Sequence, residues 1–262
     1  MRRLDCALLT SCLCAGALAG CSDDGPPIDS GPPVVVPDAA LDAAVDANAE
    51  VCPGQVLFTG SYQDWDGNSA GPNNTLGTVV AQASDVQNTT TINAPNGRVA
   101  LCLPADRTSL VTFTNADYMP LRYTFYPASA GTAFDIQGLT PDRADELLIT
   151  LGLTRDPLLA QAMVAVRYAG ANREAVGDAV EGARVTLGNA SAGVFTPDES
   201  GVLGAGDTLA GAAFVLFANT EPVSETTTVT VTPPAGVTCL GPDTVSLTAG
   251  EIAVTTFACT GP

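Results

Sequence analysis

The chain contains no histidine and no lysine. That inventory excludes the Ser-His, Cys-His, Ser-Lys and His-metal arrangements, and with them most hydrolase mechanisms. Aromatic residues are scarce at 5%, with Trp65 the single tryptophan, so a stacking platform has few residues to draw on. Basic charge is scarce too: ten arginines stand against 28 acidic residues, a net charge of −18. A chain this acidic has no electrostatic footing on nucleic acid, and the surplus serves solubility. The apolar run at residues 6–18 falls short of the roughly 20 residues a membrane-spanning helix needs. Carboxylates are the only side-chain bases left. They could run glycoside hydrolysis, but no two are singled out as a pair facing each other across a cleft. Asn189-Ala190-Ser191-Ala192-Gly193 misses a nucleophile elbow by its first glycine and has no base for Ser191. Gly201-Val202-Leu203-Gly204-Ala205-Gly206 has its glycines in the wrong order for a dinucleotide loop. Both read as turns.

What is present begins with a leader. Arg2 and Arg3 precede the apolar stretch 6–18, which ends at Leu18-Ala19-Gly20-Cys21. Charge and length fit a secretory signal. The tetrapeptide resembles the lipobox of bacterial lipoproteins, in which the cysteine sulfur receives diacylglycerol before the leader is cut. The resemblance implies a mature chain that starts at a lipidated Cys21, and Ser22 in place of Asp implies export to the outer membrane. An ordinary cleaved signal with a chance cysteine is the alternative. Removing residues 1–20 leaves 242 residues with 27 acids and eight arginines. That is enough for two domains of about a hundred residues after a tail is subtracted.

Cys6, Cys12 and Cys14 leave with the leader and Cys21 would carry lipid, so Cys52, Cys102, Cys239 and Cys259 remain. An even number suits an oxidising compartment. Of the three pairings four cysteines allow, the most economical joins Cys52 to Cys102 and Cys239 to Cys259. Metal binding is a weak rival, since no C-x-x-C pair occurs and histidine is missing.

Residues 22–50 are mostly Asp, Pro, Ala, Gly and Val, with seven acids, no basic residue and no aromatic. Such a segment cannot bury enough apolar surface to order itself, so 21–51 reads as a disordered, extended acidic tether. Beyond it, short strands are expected at 55–62, 78–83, 89–92, 98–103, 110–114 and 122–126. Turn-formers Asp66-Gly67, Gly71-Pro72 and Asn96-Gly97 separate them. A helix is expected from Pro141 to Leu151: Thr140 caps it, Pro141 suits its first position, and Gly152 can end it. Ala144, Leu147, Leu148 and Leu151 make one apolar stripe for packing on a sheet. Further strands are expected at 162–168, 183–187, 194–196, 211–218, 226–232, 244–248 and 252–259. The expected architecture is mainly β, two tandem β-sandwich domains at 52–157 and 158–262 with the helix near their junction.

Ala179-Val180-Glu181-Gly182-Ala183-Arg184-Val185-Thr186-Leu187 and Val229-Thr230-Val231-Thr232-Pro233-Pro234-Ala235-Gly236-Val237-Thr238-Cys239 resemble the opening and a later strand of carboxypeptidase-regulatory-like modules. These are transthyretin-like, Ig-like β-sandwiches of bacterial surface lipoproteins. Residues 95–104 are similar, more distantly. In this chain Glu221-Pro222-Val223-Ser224 stands where that family usually has a glycine before the later strand. The resemblance implies a secreted, non-catalytic module with no cofactor.

Two ligand readings remain. Asp64, Asp66 and Asn68 place three oxygen side chains at alternate positions of a loop, as calcium prefers. Glycine comes too early for an EF-hand and Thr75 stands where its bidentate glutamate should be, so a solvated turn is the competing reading. Tyr62 and Trp65 flank that loop and could form a platform for a sugar ring, or could cover a core edge. The expected function is a membrane-anchored, non-catalytic envelope lipoprotein that binds an envelope protein or glycan or acts structurally. A carbohydrate-binding accessory protein is one alternative and a carboxylate-based glycoside hydrolase another.

Overall fold

The computed structural model describes residues 52, 55–65, 78–83, 89–93, 98–105, 107–126, 133–170, 177–211 and 213–261. The leader, Cys21, the tether, Asp66, Asn68 and the Asn96-Gly97 turn lie outside the described residues. Seven strands form in the first stretch: β1 (Val56–Asp64), β2 (Thr78–Ala83), β3 (Thr89–Asn93), β4 (Arg98–Leu103), β5 (Ser109–Thr114), β6 (Leu121–Phe125) and β7 (Ala133–Gly138). After helix α1 (Pro141–Thr150) come β8 (Ala160–Tyr168), β9 (Arg184–Leu187), β10 (Ser191–Pro197), β11 (Leu203–Ala205) and β12 (Phe214–Thr220). The last four are β13 (Thr227–Thr232), β14 (Thr238–Leu240), β15 (Thr244–Val245) and β16 (Ile252–Thr260). No helix among the described residues is long and apolar enough to cross a membrane.

The chain is mainly β with sheets packed as sandwiches. Their assembly carries a feature that the expected tandem arrangement does not: a single 10-stranded sheet serves both halves, in the order β11-β10-β12-β8-β16-β6-β5-β2-β3, with β14 paired to β16. Two three-stranded sheets, β4-β1-β7 and β15-β13-β9, complete the fold. Side chains alternate between the faces of a strand, and β16 makes the consequence visible. Ile252 and Val254 join the core of Phe58, Tyr62, Leu101, Phe113 and Ile136. Ala253, Phe257 and Cys259 join the core of Val164, Val185, Leu209, Val215 and Val229. The two small sheets therefore cover opposite faces of the shared sheet, each over its own core.

Helix α1 forms as its sequence dictates. The Thr140 hydroxyl accepts a hydrogen bond from the Arg143 N–H at 3.2 Å, and Pro141 occupies the first turn, where no N–H is needed. Gly152 takes a left-handed φ of 76°, with the Leu153 N–H returning to the Leu148 carbonyl at 2.8 Å. Ala144 and Leu148 are buried. Leu148 meets Phe195, Leu216 and Ala218 of the shared sheet, with Leu147, Leu151 and Leu153 packed around them.

The chain between α1 and β8 is held by a buried amide clasp. Asn219 sits at φ 47°, where the β12–β8 register shifts. Its N–H donates to Gln161 Oε1 at 3.0 Å, and its own Oδ1 accepts from Gln161 Nε2 at 3.1 Å and from the Asp156 N–H at 3.2 Å. Asn219 Nδ2 donates to the Thr154 carbonyl at 2.8 Å. Asparagine tolerates a left-handed backbone better than most residues, and here its side chain satisfies groups that would otherwise be buried without partners.

Three strands were not expected from the sequence. β7 runs parallel to β1, β14 pairs only with the end of β16, and β11 lies within the glycine-rich stretch read as a turn. Both turn readings are corrected: Leu203–Ala205 pairs with Phe195–Pro197 as the outer strand of a hairpin, and Ser191 and Gly193 lie in β10, paired with Thr220 and Ala218 of β12.

Candidate functional site

The residues singled out for ligand binding cluster at the end of β1, and the structure gives most of them internal work. Counting by twos from Val56 and Phe58 carries Tyr62 to the core face, where it is 0% exposed. Its ring lies edge-on to Tyr118 at 5.9 Å and tilted against Phe113 at 6.4 Å. Gly138 of β7 makes this fit: a Cβ there would come within 2.3 Å of the Tyr62 hydroxyl. A sugar platform that includes Tyr62 is therefore corrected to a core tyrosine, because a ring walled in by Phe113, Tyr118 and Gly138 has no face to offer. Trp65 is half-buried, packs against the first core, and meets Phe214 of β12 edge-on at 6.0 Å. It links the first half to the sheet of the second.

Asp64 stands on the same strand end, and its carboxylate accepts a hydrogen bond from the Tyr118 hydroxyl at 2.8 Å. Asp66 and Asn68, the other two oxygens of the proposed calcium loop, lie outside the described residues. Among the described residues no three His, Cys, Asp or Glu side chains gather as a metal site would require. Tyr118, which the sequence did not flag, comes from the connection between β5 and β6. A lone tyrosine in Asn115-Ala116-Asp117-Tyr118 gives no periodic signal that could have found it.

Burial and charge shape this corner. The Tyr62 phenol is pushed up chiefly by its burial, then by the neighbouring Tyr118 and Asp64. Tyr118 is pushed up by desolvation, then by its hydrogen bond to Asp64 and by the charges of Asp64 and Asp117. Both phenols hold their protons in the folded chain at a pH where an unfolded phenol, with an ordinary value of 10.0, has lost its own. The folded state then binds more protons, so stability is whole below that pH and falls as pH rises above it. Each phenol can contribute a slope of up to about 1.4 kcal/mol per pH unit, with less from the more exposed Tyr118. Urea midpoints should hold level to about pH 9.5 and decline beyond, and Tyr62→Phe should flatten the decline. An unchanged decline in that variant would refute the assignment to Tyr62.

Several other charged groups among the described residues are engaged structurally. Asp198 is held below the ordinary carboxylate range by the Ser200 hydroxyl and by backbone N–H groups, Val202 first. Its Oδ1 accepts from Ser200 Oγ at 2.6 Å. Asp207 is lowered by Arg184, whose Nε lies 2.7 Å away. Arg155 meets Asp145 at 2.6 Å and Arg122 meets Glu251 across the two halves. Ser191, dismissed as a nucleophile, shares a hydrogen bond with Thr220 at 2.9 Å.

The four thiols are consumed. Cys52 pairs with Cys102 and Cys239 with Cys259, with Cα separations of 5.4 and 4.0 Å. Both bridges match the economical pairing, and a cross-strand register places Cys239 directly opposite Cys259.

No family model matches the chain, and no curated protein matches it. Among solved structures, the TIE protein of Bacillus anthracis is similar at 10% identity and a TM-score of 0.25, over 79% of this chain and 34% of that one. This chain thus spans about a third of that structure's length. A double mutant of the shaft pilin SpaA of Lactobacillus rhamnosus GG is similar at 12% identity and a TM-score of 0.22, over 79% of this chain and 99% of that one. Likenesses this slight leave the functional argument to the residues themselves.

Proposed function

We propose that this chain is a lipid-anchored protein of a bacterial cell envelope that presents its β-sandwiches to an envelope protein or glycan, or serves structurally, without catalysing a reaction. Leu18-Ala19-Gly20-Cys21 behind a basic and apolar leader carries the reading. The two disulfides support it, since such bonds persist in oxidising compartments outside the cytosol. Ser22 directs the anchor to the outer membrane. The absence of histidine and lysine and the pairing of Cys52, Cys102, Cys239 and Cys259 support a non-catalytic role, because the usual bases and nucleophiles are absent or consumed. The carboxypeptidase-regulatory-like resemblance at residues 179–187 and 229–239 points the same way. Carbohydrate binding is the weaker alternative, since Tyr62 is spent in the core and Trp65 is half-buried, packed on the first core and in contact with Phe214.

The expected outcome is all-or-none. Wild type expressed in a bacterium with its own leader should partition into detergent and start at an acylated Cys21 by intact mass. Cys21→Ser should yield an unlipidated, aqueous-phase product. An unmodified N-terminus at another residue of the wild-type chain would end the reading. A screen of soluble 52–262 against glycosides tests the non-catalytic claim. Turnover abolished by changing one Asp or Glu would refute it.

A further inference from the structure

Strand β16 is last in the chain yet central in the shared sheet, flanked by β8 on one side and by β6 and β14 on the other. We propose that it is a closing strap that couples the two cores into one cooperative unit. The backbone supplies the first half of the argument. Ile252 to Thr255 pair in parallel with Leu121 to Thr124 of β6, and Ile252 to Cys259 pair in parallel with Gln161 to Tyr168 of β8. Take β16 away and both neighbours are left with unpaired edges facing each other across the gap.

The side chains supply the second half. From one face Ile252 and Val254 close the first core, and from the other Ala253, Phe257 and Cys259 close the second. Neither core has its full wall without this strand, although the first is built mostly from residues more than a hundred positions earlier. The strap is fastened to both halves. The Ile252 N–H donates to the Pro120 carbonyl at 2.9 Å, and the Tyr123 hydroxyl bonds Thr256 Oγ1 at 3.0 Å. Glu251, just ahead of the strand, pairs with Arg122 of β6 and accepts at its carbonyl from the Gln161 N–H of β8 at 3.0 Å. The Cys239–Cys259 bridge then pins the far end. A chain delivered N-terminus first must leave both cores open until residues 252–260 arrive.

Coupling of this kind is read by native-state hydrogen exchange on the mature full-length chain, because independent halves open separately and a coupled pair opens together. Phe257 belongs to the second core alone, beyond the stretch of β16 that β6 reaches. Phe257→Ala, a large core deletion, should lower the protection of the slowest second-half amides, in β8 and β12, by roughly two to three orders of magnitude. With the strap, the slowest amides of β5 and β6 fall by the same factor. A drop confined to β8 and β12 would overturn the proposal. Should that variant fail to fold, the unsubstituted chain decides under rising urea. The slowest amides of β6 and β12 converge on one opening free energy and one slope if the strap couples the cores, and two distinct openings would overturn it.

Discussion

Replacing Cys52 and Cys102 together by serine should lower stability by about 4 kcal/mol on chain-entropy grounds, because that bridge closes a separation of 50 residues. Removing Cys239 and Cys259 together, a separation of 20, should cost about 3 kcal/mol. Burial does not separate the two variants: Cys52 and Cys259 are each 1% exposed, so a serine at either puts a hydroxyl into an apolar setting as well as releasing a loop, and loop length sets the order. Urea denaturation of the two double variants beside wild type gives the comparison, provided the slope with denaturant stays constant. A first variant no less stable than the second would show that the Cys52–Cys102 bridge constrains little of the unfolded chain. Either loss is a large share of the 5–15 kcal/mol typical of a folded domain.

The pairing behind that prediction was legible in the sequence, because four cysteines with two close in each half leave one economical arrangement. The helix was legible too, from Thr140, Pro141, Gly152 and the spacing of Ala144, Leu147, Leu148 and Leu151. Strands joined by nearby turns were found at nearly their observed bounds. β7 was not, since a parallel partner as distant as β1 leaves no hairpin signal, and β11 and β14 are too short for alternation to register. Residues 252–259 are expected as a strand from the sequence, but nothing there says what covers either face, so the sharing of this strand between two cores became visible only in three dimensions. The ligand reading of Tyr62 failed for the opposite reason. Alternation from Phe58 already assigned it to the core face, and that local rule outweighs the attraction of an aromatic next to an acidic loop. The clasp of Gln161 and Asn219 was invisible, because nothing near either residue marks a partner 58 positions away.

A second large effect is expected in α1, where adjacent residues part company. Leu148 is 2% exposed and Ile149 66%. Leu148→Ala removes the side chain that fills the space between Phe195, Leu216 and Ala218, and should cost about 3 kcal/mol as transfer and cavity terms add. Ile149→Ala should change stability by less than about 0.5 kcal/mol, as exposed substitutions usually do, and alanine's higher helix propensity should tilt any change toward stability. Running both variants separates the packing of the helix on the sheet from the intrinsic stability of the helix, because both substitutions introduce the same residue one position apart. Equal losses in the two would mean that α1 does not present Leu148 to the sheet. A loss at Leu148 alone, read from urea midpoints at constant slope, would establish that this helix is held by one face and that Ile149 is free of the core.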